Sequence, residues 1–126
     1  MLGSADLIAF VPTRDPAKAR EFYERTLGLE FISGDAFALV FNAHGTALRV
    51  ANVSNVKDFR PAPFTIVGWQ VRNVGDTAGD LVKKGVQFER FPGMEQDAQG
   101  IWQSPSGAKV AWFKDPDGNI LSITQP

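Results

Sequence analysis

The chain has no cysteine and a single histidine, His44, among its 126 residues. Without cysteine there are no disulfides, no thiolate metal sites and no thiol nucleophile, and the composition suits a reducing compartment. One histidine leaves little support for a Ser-His-Asp or Cys-His arrangement, and no serine or carboxylate is obviously tied to it. Charge of one sign is also lacking. Thirteen Lys and Arg against fourteen Asp and Glu give a net charge of -1. Both signs are spread along the chain, so the one-sided basic footprint that nucleic acid requires is absent. No apolar run approaches the roughly 20 residues of a membrane span. Met1–Asp6 lacks the basic start and long apolar stretch of a signal peptide, so a cytoplasmic location is expected. No GxGxxG, P-loop or HExxH pattern occurs.

What is present is core material. Ten Phe and three Trp in a chain of this length suffice for one domain needing no covalent staples. Asp6–Pro12 is short and apolar and reads as a buried strand. Asp15 is a helix N-cap with Pro16 at the first helical position. Over Pro16–Leu27, Ala19, Phe22, Tyr23 and Leu27 recur on one helical face, and Gly28 closes the helix. Three strands are expected at Leu29–Ser33, Ala36–Phe41 and Thr46–Asn52. Ser54–Pro63 shows no period and carries two prolines, as a linker would.

The pattern then repeats. Phe64–Val71 reads as a strand. Asn73 caps a helix running through Lys84, with Ala78, Leu81 and Val82 inward and Gly85 at its end. Val86–Phe91 is expected as a strand, Pro92–Gly107 as a loop, and Ala108–Lys114 and Asn119–Thr124 as a closing pair. Leu27-Gly28-Leu29-Glu30-Phe31 matches Lys84-Gly85-Val86-Gln87-Phe88. Gly45-Thr46-Ala47-Leu48-Arg49-Val50 matches Gly118-Asn119-Ile120-Leu121-Ser122-Ile123. The expected fold is α+β: one domain over 1–126 built from two pseudo-symmetric β-α-β-β-β modules, 5–53 and 64–125, joined by a linker at 54–63. Each helix has one apolar face that must pack on a sheet. Two such halves can form a curved, cup-like mixed sheet with the helices outside.

This order resembles the vicinal-oxygen-chelate superfamily, which includes glyoxalase I, extradiol dioxygenases, fosfomycin-resistance enzymes and bleomycin-resistance proteins. The residues that carry the resemblance are Asp15-Pro16, Phe22-Tyr23 and Leu27-Gly28, then Trp112-Phe113-Lys114-Asp115-Pro116-Asp117-Gly118-Asn119. It spans essentially the whole chain. Metal-using members carry up to four ligands, usually His, Gln or Glu, on the first and last strands of each half. The resemblance places those positions at Ile8, Ile66, Arg49 and Ser122. Isoleucine offers no lone pair, Arg is a cation without an acceptor, and Ser is a poor ligand for a transition metal. A divalent site needs three or four N, O or S donors, so no metal and no cofactor are expected.

Strand alternation puts Leu48 and Val50 on one side and Arg49 on the other, with Leu121, Ile123 and Ser122 arranged likewise. Arg49 has two readings: a bidentate clamp for a carboxylate, phosphonate or phosphate, or a structural ion pair that snorkels to water. Trp102 and Trp112, with Phe41 and Met94, are candidate flat walls of a pocket, or ordinary core. Ile8 and Ile66 would add apolar lining and Ser122 a hydrogen bond. His44, Glu95 and Asp97 fit solvated turn or loop positions, and Asp117-Gly118 fits a hairpin turn. No catalytic residue is assigned.

A mostly apolar site with a few convergent polar groups is the usual form of a small-molecule pocket. The expected function is metal-independent binding of a small molecule, partly apolar with one anionic or polar end. The alternative that the resemblance implies is a lyase, isomerase or dioxygenase. A homodimer is expected, both from the resemblance and because short curved sheets leave edges that partners cover. Nucleic-acid and membrane partners are not.

Overall fold

The computed structural model describes residues 1–126. They divide into two compact units, Met1–Pro61 and Ala62–Pro126, with the boundary inside the expected linker. After a single 3-10 turn at Leu2–Ser4, the first unit runs β1 (Ile8–Thr13), α1 (Pro16–Arg20), β2 (Glu30–Gly34), β3 (Ala38–Ala43) and β4 (Thr46–Asn52). The second runs β5 (Thr65–Gln70), α2 (Val74–Lys83), β6 (Trp102–Gln103), β7 (Lys109–Lys114) and β8 (Ile120–Gln125). Strand order is β1-β4-β3-β2 in one sheet and β5-β8-β7-β6 in the other. In both, the first strand lies parallel to the last and the remaining pairs are antiparallel. The protein is therefore α+β, with one topology used twice.

The first helix starts where the sequence says it should. The Asp15 carboxylate accepts from the Lys18 amide at 3.2 Å, and Pro16 needs no amide partner. Past Arg20 the backbone widens into a π-helix over Glu21–Thr26. Leu27 N–H reaches back five residues to the Phe22 carbonyl at 2.9 Å. Gly28, at φ +77°, then turns the chain through a conformation that a side chain would disfavour. Ala19 and Tyr23 are buried, and Tyr23 meets Phe41 with ring centroids 6.0 Å apart. Leu48, Val50 and Val11 complete this core.

In the second unit Asn73 Oδ1 caps the Asp76 amide at 3.0 Å. The buried stripe of α2 is Val74, Ala78 and Leu81. Val82, expected inward, is 56% exposed. Positions 74, 78 and 81 lie at the centre of the apolar stripe, and 82, eight residues after 74, lies at its margin. Phe113, Leu121 and Ile123 form the opposing sheet face.

One expected strand does not form. Val86–Phe91 contributes a single antiparallel bridge, Phe88 to Phe113, and the fourth strand of the sheet is Trp102–Gln103, inside the expected loop. The reason is Gln96. Its side chain accepts from Phe91 N–H at 2.8 Å and donates to the carbonyls of Glu89 (3.0 Å) and Gly100 (2.8 Å). These bonds take up backbone groups that strand pairing would have used, and Pro92 cannot donate to a ladder.

The Asp115-Pro116-Asp117-Gly118-Asn119 turn is organised by a buried carboxylate. Asp115 Oδ1 accepts from the amides of Asp117 and Asn119, both at 2.9 Å, and Oδ2 accepts from Asn119 Nδ2 at 2.8 Å. Its role is therefore structural, as a hairpin turn requires.

Candidate functional site

In the first unit the helix covers the sheet face that carries Leu48, Val50 and Phe41. Arg49 projects from the opposite face. Its register neighbours are Phe10 on β1 and Val40 on β3. Ile8, two residues before Phe10, shares that face. Phe10 is 60% and Ile8 50% exposed, while Arg49 is half-buried. An isolated apolar residue on a surface needs no explanation, but neighbouring ones around a cation do. Arg49 makes no hydrogen bond or salt bridge. Its nearest electrostatic partner is Asp35, whose carboxyl is held below its ordinary value first by amide bonds from Phe37 and Ala38 and in smaller part by the Arg49 charge.

The second unit repeats the geometry with different chemistry. Leu121 and Ile123 face the helix, and Ser122 lies on the other side between Trp112 of β7 and Gly68 of β5. The indole rings of Trp102 and Trp112 lie 6.0 Å apart at 38°, and Phe91 meets Trp112 edge-on at 5.5 Å. Trp112 Nε1 donates to Thr65 Oγ1 at 3.1 Å, which fixes the ring across the sheet. This leaves a half-exposed aromatic shelf. Met94 is half-buried in the tight turn after Phe91, its amide bonded to the Phe91 carbonyl at 3.3 Å.

Two expected lining residues are placed differently. Phe41 is 0% exposed and stands opposite Leu48, on the helix side, packed on Tyr23 and Phe31. It packs in the core beneath the helix. Ile66 is the extra residue of a bulge between Thr65 and Val67 and has no partner on β8. Gly68 therefore takes the place beside Ser122. Thr65, Gly68 and Phe91 were not anticipated as site residues. A glycine inside an apolar strand is a signal for close approach or a bulge, and here both occur.

The positions at which the resemblance would place metal ligands do not fit a metal. Nowhere do three or more His, Cys, Asp or Glu side chains come together to hold an ion. In each unit, taken by itself, the first and last strands offer Ile8 with Arg49 and Ile66 with Ser122. Arg49 repels a cation, and a single hydroxyl cannot replace a donor set.

His44 sits in the β3–β4 turn at φ 51°, followed by Gly45 at φ 94°. These are the two left-handed positions of a tight hairpin, so His44 is a turn residue. A second concavity, of about 580 Å³, lies at the start of α2 and is lined by Asn73, Gln99, Gln103, Lys109 and Gln125 among others. Some of its amides are engaged in the fold: Gln125 Oε1 accepts from Val74 N–H, and Gln99 Nε2 donates to the Gly75 carbonyl. Asp97, also there, closes a turn through the amides of Gln99 and Ile101. Much of the cleft wall is tied to the fold, and the sheet faces bearing Arg49 and the tryptophans are the candidate sites.

No helix is long and apolar enough to cross a membrane. No curated protein sequence matches the chain. Among solved structures, a glyoxalase/bleomycin resistance protein/dioxygenase superfamily member from Sphaerobacter thermophilus DSM 20745 is 22% identical over 100% of both chains, at a TM-score of 0.76. TnmS3, an antibiotic binding protein from Streptomyces sp. CB03234, is 23% identical over 100% of this chain and 98% of its own, at a TM-score of 0.75. A lactoylglutathione lyase from Agrobacterium tumefaciens is 16% identical over 97% of this chain and 93% of its own, at a TM-score of 0.73. At these identities the likeness is one of fold. The family model for the Glyoxalase/Bleomycin resistance protein/Dioxygenase superfamily matches residues 5–123, nearly the whole chain, and the protein belongs to that superfamily.

Proposed function

We propose that the protein is a metal-independent small-molecule-binding protein, whose ligand is partly apolar with one anionic or strongly polar end. The observation that carries this reading is Arg49. Arg49 is half-buried, makes no hydrogen bond within the chain, and sits among exposed Ile8 and Phe10 on the sheet face away from the helix. A guanidinium presents a planar fork to carboxylate, phosphonate or phosphate, and the flanking side chains offer contact to the apolar remainder. The Trp102–Trp112 shelf, with Met94 near it and Ser122 beside it, supplies flat apolar surface with a hydroxyl. The likeness to an antibiotic binding protein is consistent with such a ligand. Both modules are taken as parts of one glyoxalase-like domain acting in the cytoplasm as a homodimer. Ile8, Ile66, Arg49 and Ser122 at the positions that the resemblance gives to metal ligands argue against lyase, isomerase or dioxygenase chemistry that runs through a bound metal.

The test is a thermal-shift and calorimetric comparison of aromatic carboxylates and phosphonates on wild-type protein and Arg49→Met. Losing hydrogen bonds to a charged group should cost about 1.5–3 kcal/mol, a weakening of roughly 10- to 100-fold. Neutral analogues should bind both proteins alike. Equal binding of the anionic ligands by Arg49→Met would remove the anion clamp from the account.

A further inference from the structure

Gly68 and Ser122 face each other across β5 and β8, at the β5 edge of the tryptophan-bearing face. Ser122 is 7% exposed, yet its hydroxyl makes no hydrogen bond within the chain. That hydroxyl is not an orphaned buried atom and stays open to solvent, so a group that displaces its water without replacing the hydrogen bond leaves it unpaired at a cost; beside it the Trp112 N–H is bonded to Thr65, and the rings pack on one another. Gly68 is exposed. A Cβ built on it would stand 2.5 Å from Ser122 Oγ, 3.8 Å from Ser122 Cβ and 3.5 Å from the Ser122 carbonyl. The missing side chain thus opens a notch in the sheet face, and the wall of that notch is the Ser122 hydroxyl. Gly68 is not there for a turn, since its φ lies outside the left-handed region. A side chain there would push the Ser122 hydroxyl aside and close the notch.

We infer that Gly68 and Ser122 form a specificity-determining recess for a small hydrogen-bonding substituent, a hydroxyl or carbonyl oxygen, at the edge of a flat ring lying on Trp102 and Trp112. This rests on the reading that the tryptophan face binds ligand. The stack is indifferent to substituents, because any ring has a π-face to offer. The recess discriminates: an oxygen reaching it completes the hydrogen bonding of Ser122, whereas a methyl group of similar size leaves the hydroxyl unpaired. A side chain at position 68 would shut the recess against both.

The test uses 2-naphthol and 2-methylnaphthalene, neutral molecules that differ only in that substituent, measured by equilibrium dialysis. Wild-type protein should bind 2-naphthol on the order of fivefold more tightly, the worth of one net hydrogen bond. In Ser122→Ala the preference should fall below twofold while 2-methylnaphthalene binds as before. In Gly68→Ala the preference should vanish and both should weaken. Trp102→Ala should weaken both and keep the preference. If wild type binds the two equally, or Ser122→Ala keeps the preference, the recess assignment is wrong even though the shelf binds rings. If neither molecule binds, or Trp102→Ala changes neither, the tryptophan face is not a binding surface and the recess falls with it. Should Gly68→Ala not fold, Ser122→Ala decides the question alone.

Discussion

Arg49 and Asp35 make a pair whose coupling can be read without any ligand. Asp35 accepts amide bonds from Phe37 at 2.8 Å and Ala38 at 3.0 Å. These, and to a smaller extent the Arg49 charge, hold its carboxyl below the ordinary 3.8. A carboxyl whose folded value lies below its unfolded one stabilises the protein above the unfolded value, and that contribution is lost as pH falls through the folded one. Carboxyl NMR titration should therefore give Asp35 a midpoint below 3.8, shifting upward in Arg49→Met. A midpoint unchanged by Arg49→Met would separate the two charges. The sequence shows which strand face Arg49 takes, because Leu48 and Val50 are unmistakable core neighbours. It misleads for Phe41, since an aromatic serves equally as core or as wall and only the register opposite Leu48 decides. It is silent on Gly68, whose meaning depends on what stands across the sheet.

At the scale of elements, the caps at Asp15 and Asn73 and the turn at His44-Gly45 are local, and local chemistry is legible. The failure at Val86–Phe91 is different in kind. Those residues have a strand pattern, but a side chain five residues downstream of Phe91 satisfies their backbone instead, and no propensity encodes that. Gln96→Ala should destabilise the protein by about 2–3 kcal/mol, since three partly buried bonds are lost at roughly 1 kcal/mol each. Urea unfolding monitored by tryptophan fluorescence measures it. A loss below about 0.5 kcal/mol would mean that water replaces Gln96 at no cost. The bulge at Ile66 belongs to the same class: period-2 alternation predicts a uniform strand, which would set Val67 beside Ser122, and one extra residue puts Gly68 there instead.

For the molecule as a whole, the duplicated strand order follows from the sequence repeat, while the chemistry of the two halves has diverged into a cationic face and an aromatic one. β1 and β5 are sheet edges, each with one side of its backbone outside the sheet's ladder. Such edges are commonly covered by a partner, so light scattering at micromolar concentration should give twice the 13.8 kDa chain mass; a monomer there would count against the dimer. The central claim, binding without a metal, has a direct measurement. Protein is treated with EDTA, dialysed, and titrated with the tightest anionic aromatic ligand of the thermal-shift series. The account predicts that affinity survives chelation, and that ligand at a hundred times its Kd stabilises the stripped protein by about 2.7 kcal/mol. Loss of binding on chelation, with recovery on adding Ni, Zn, Mn or Fe, would contradict it.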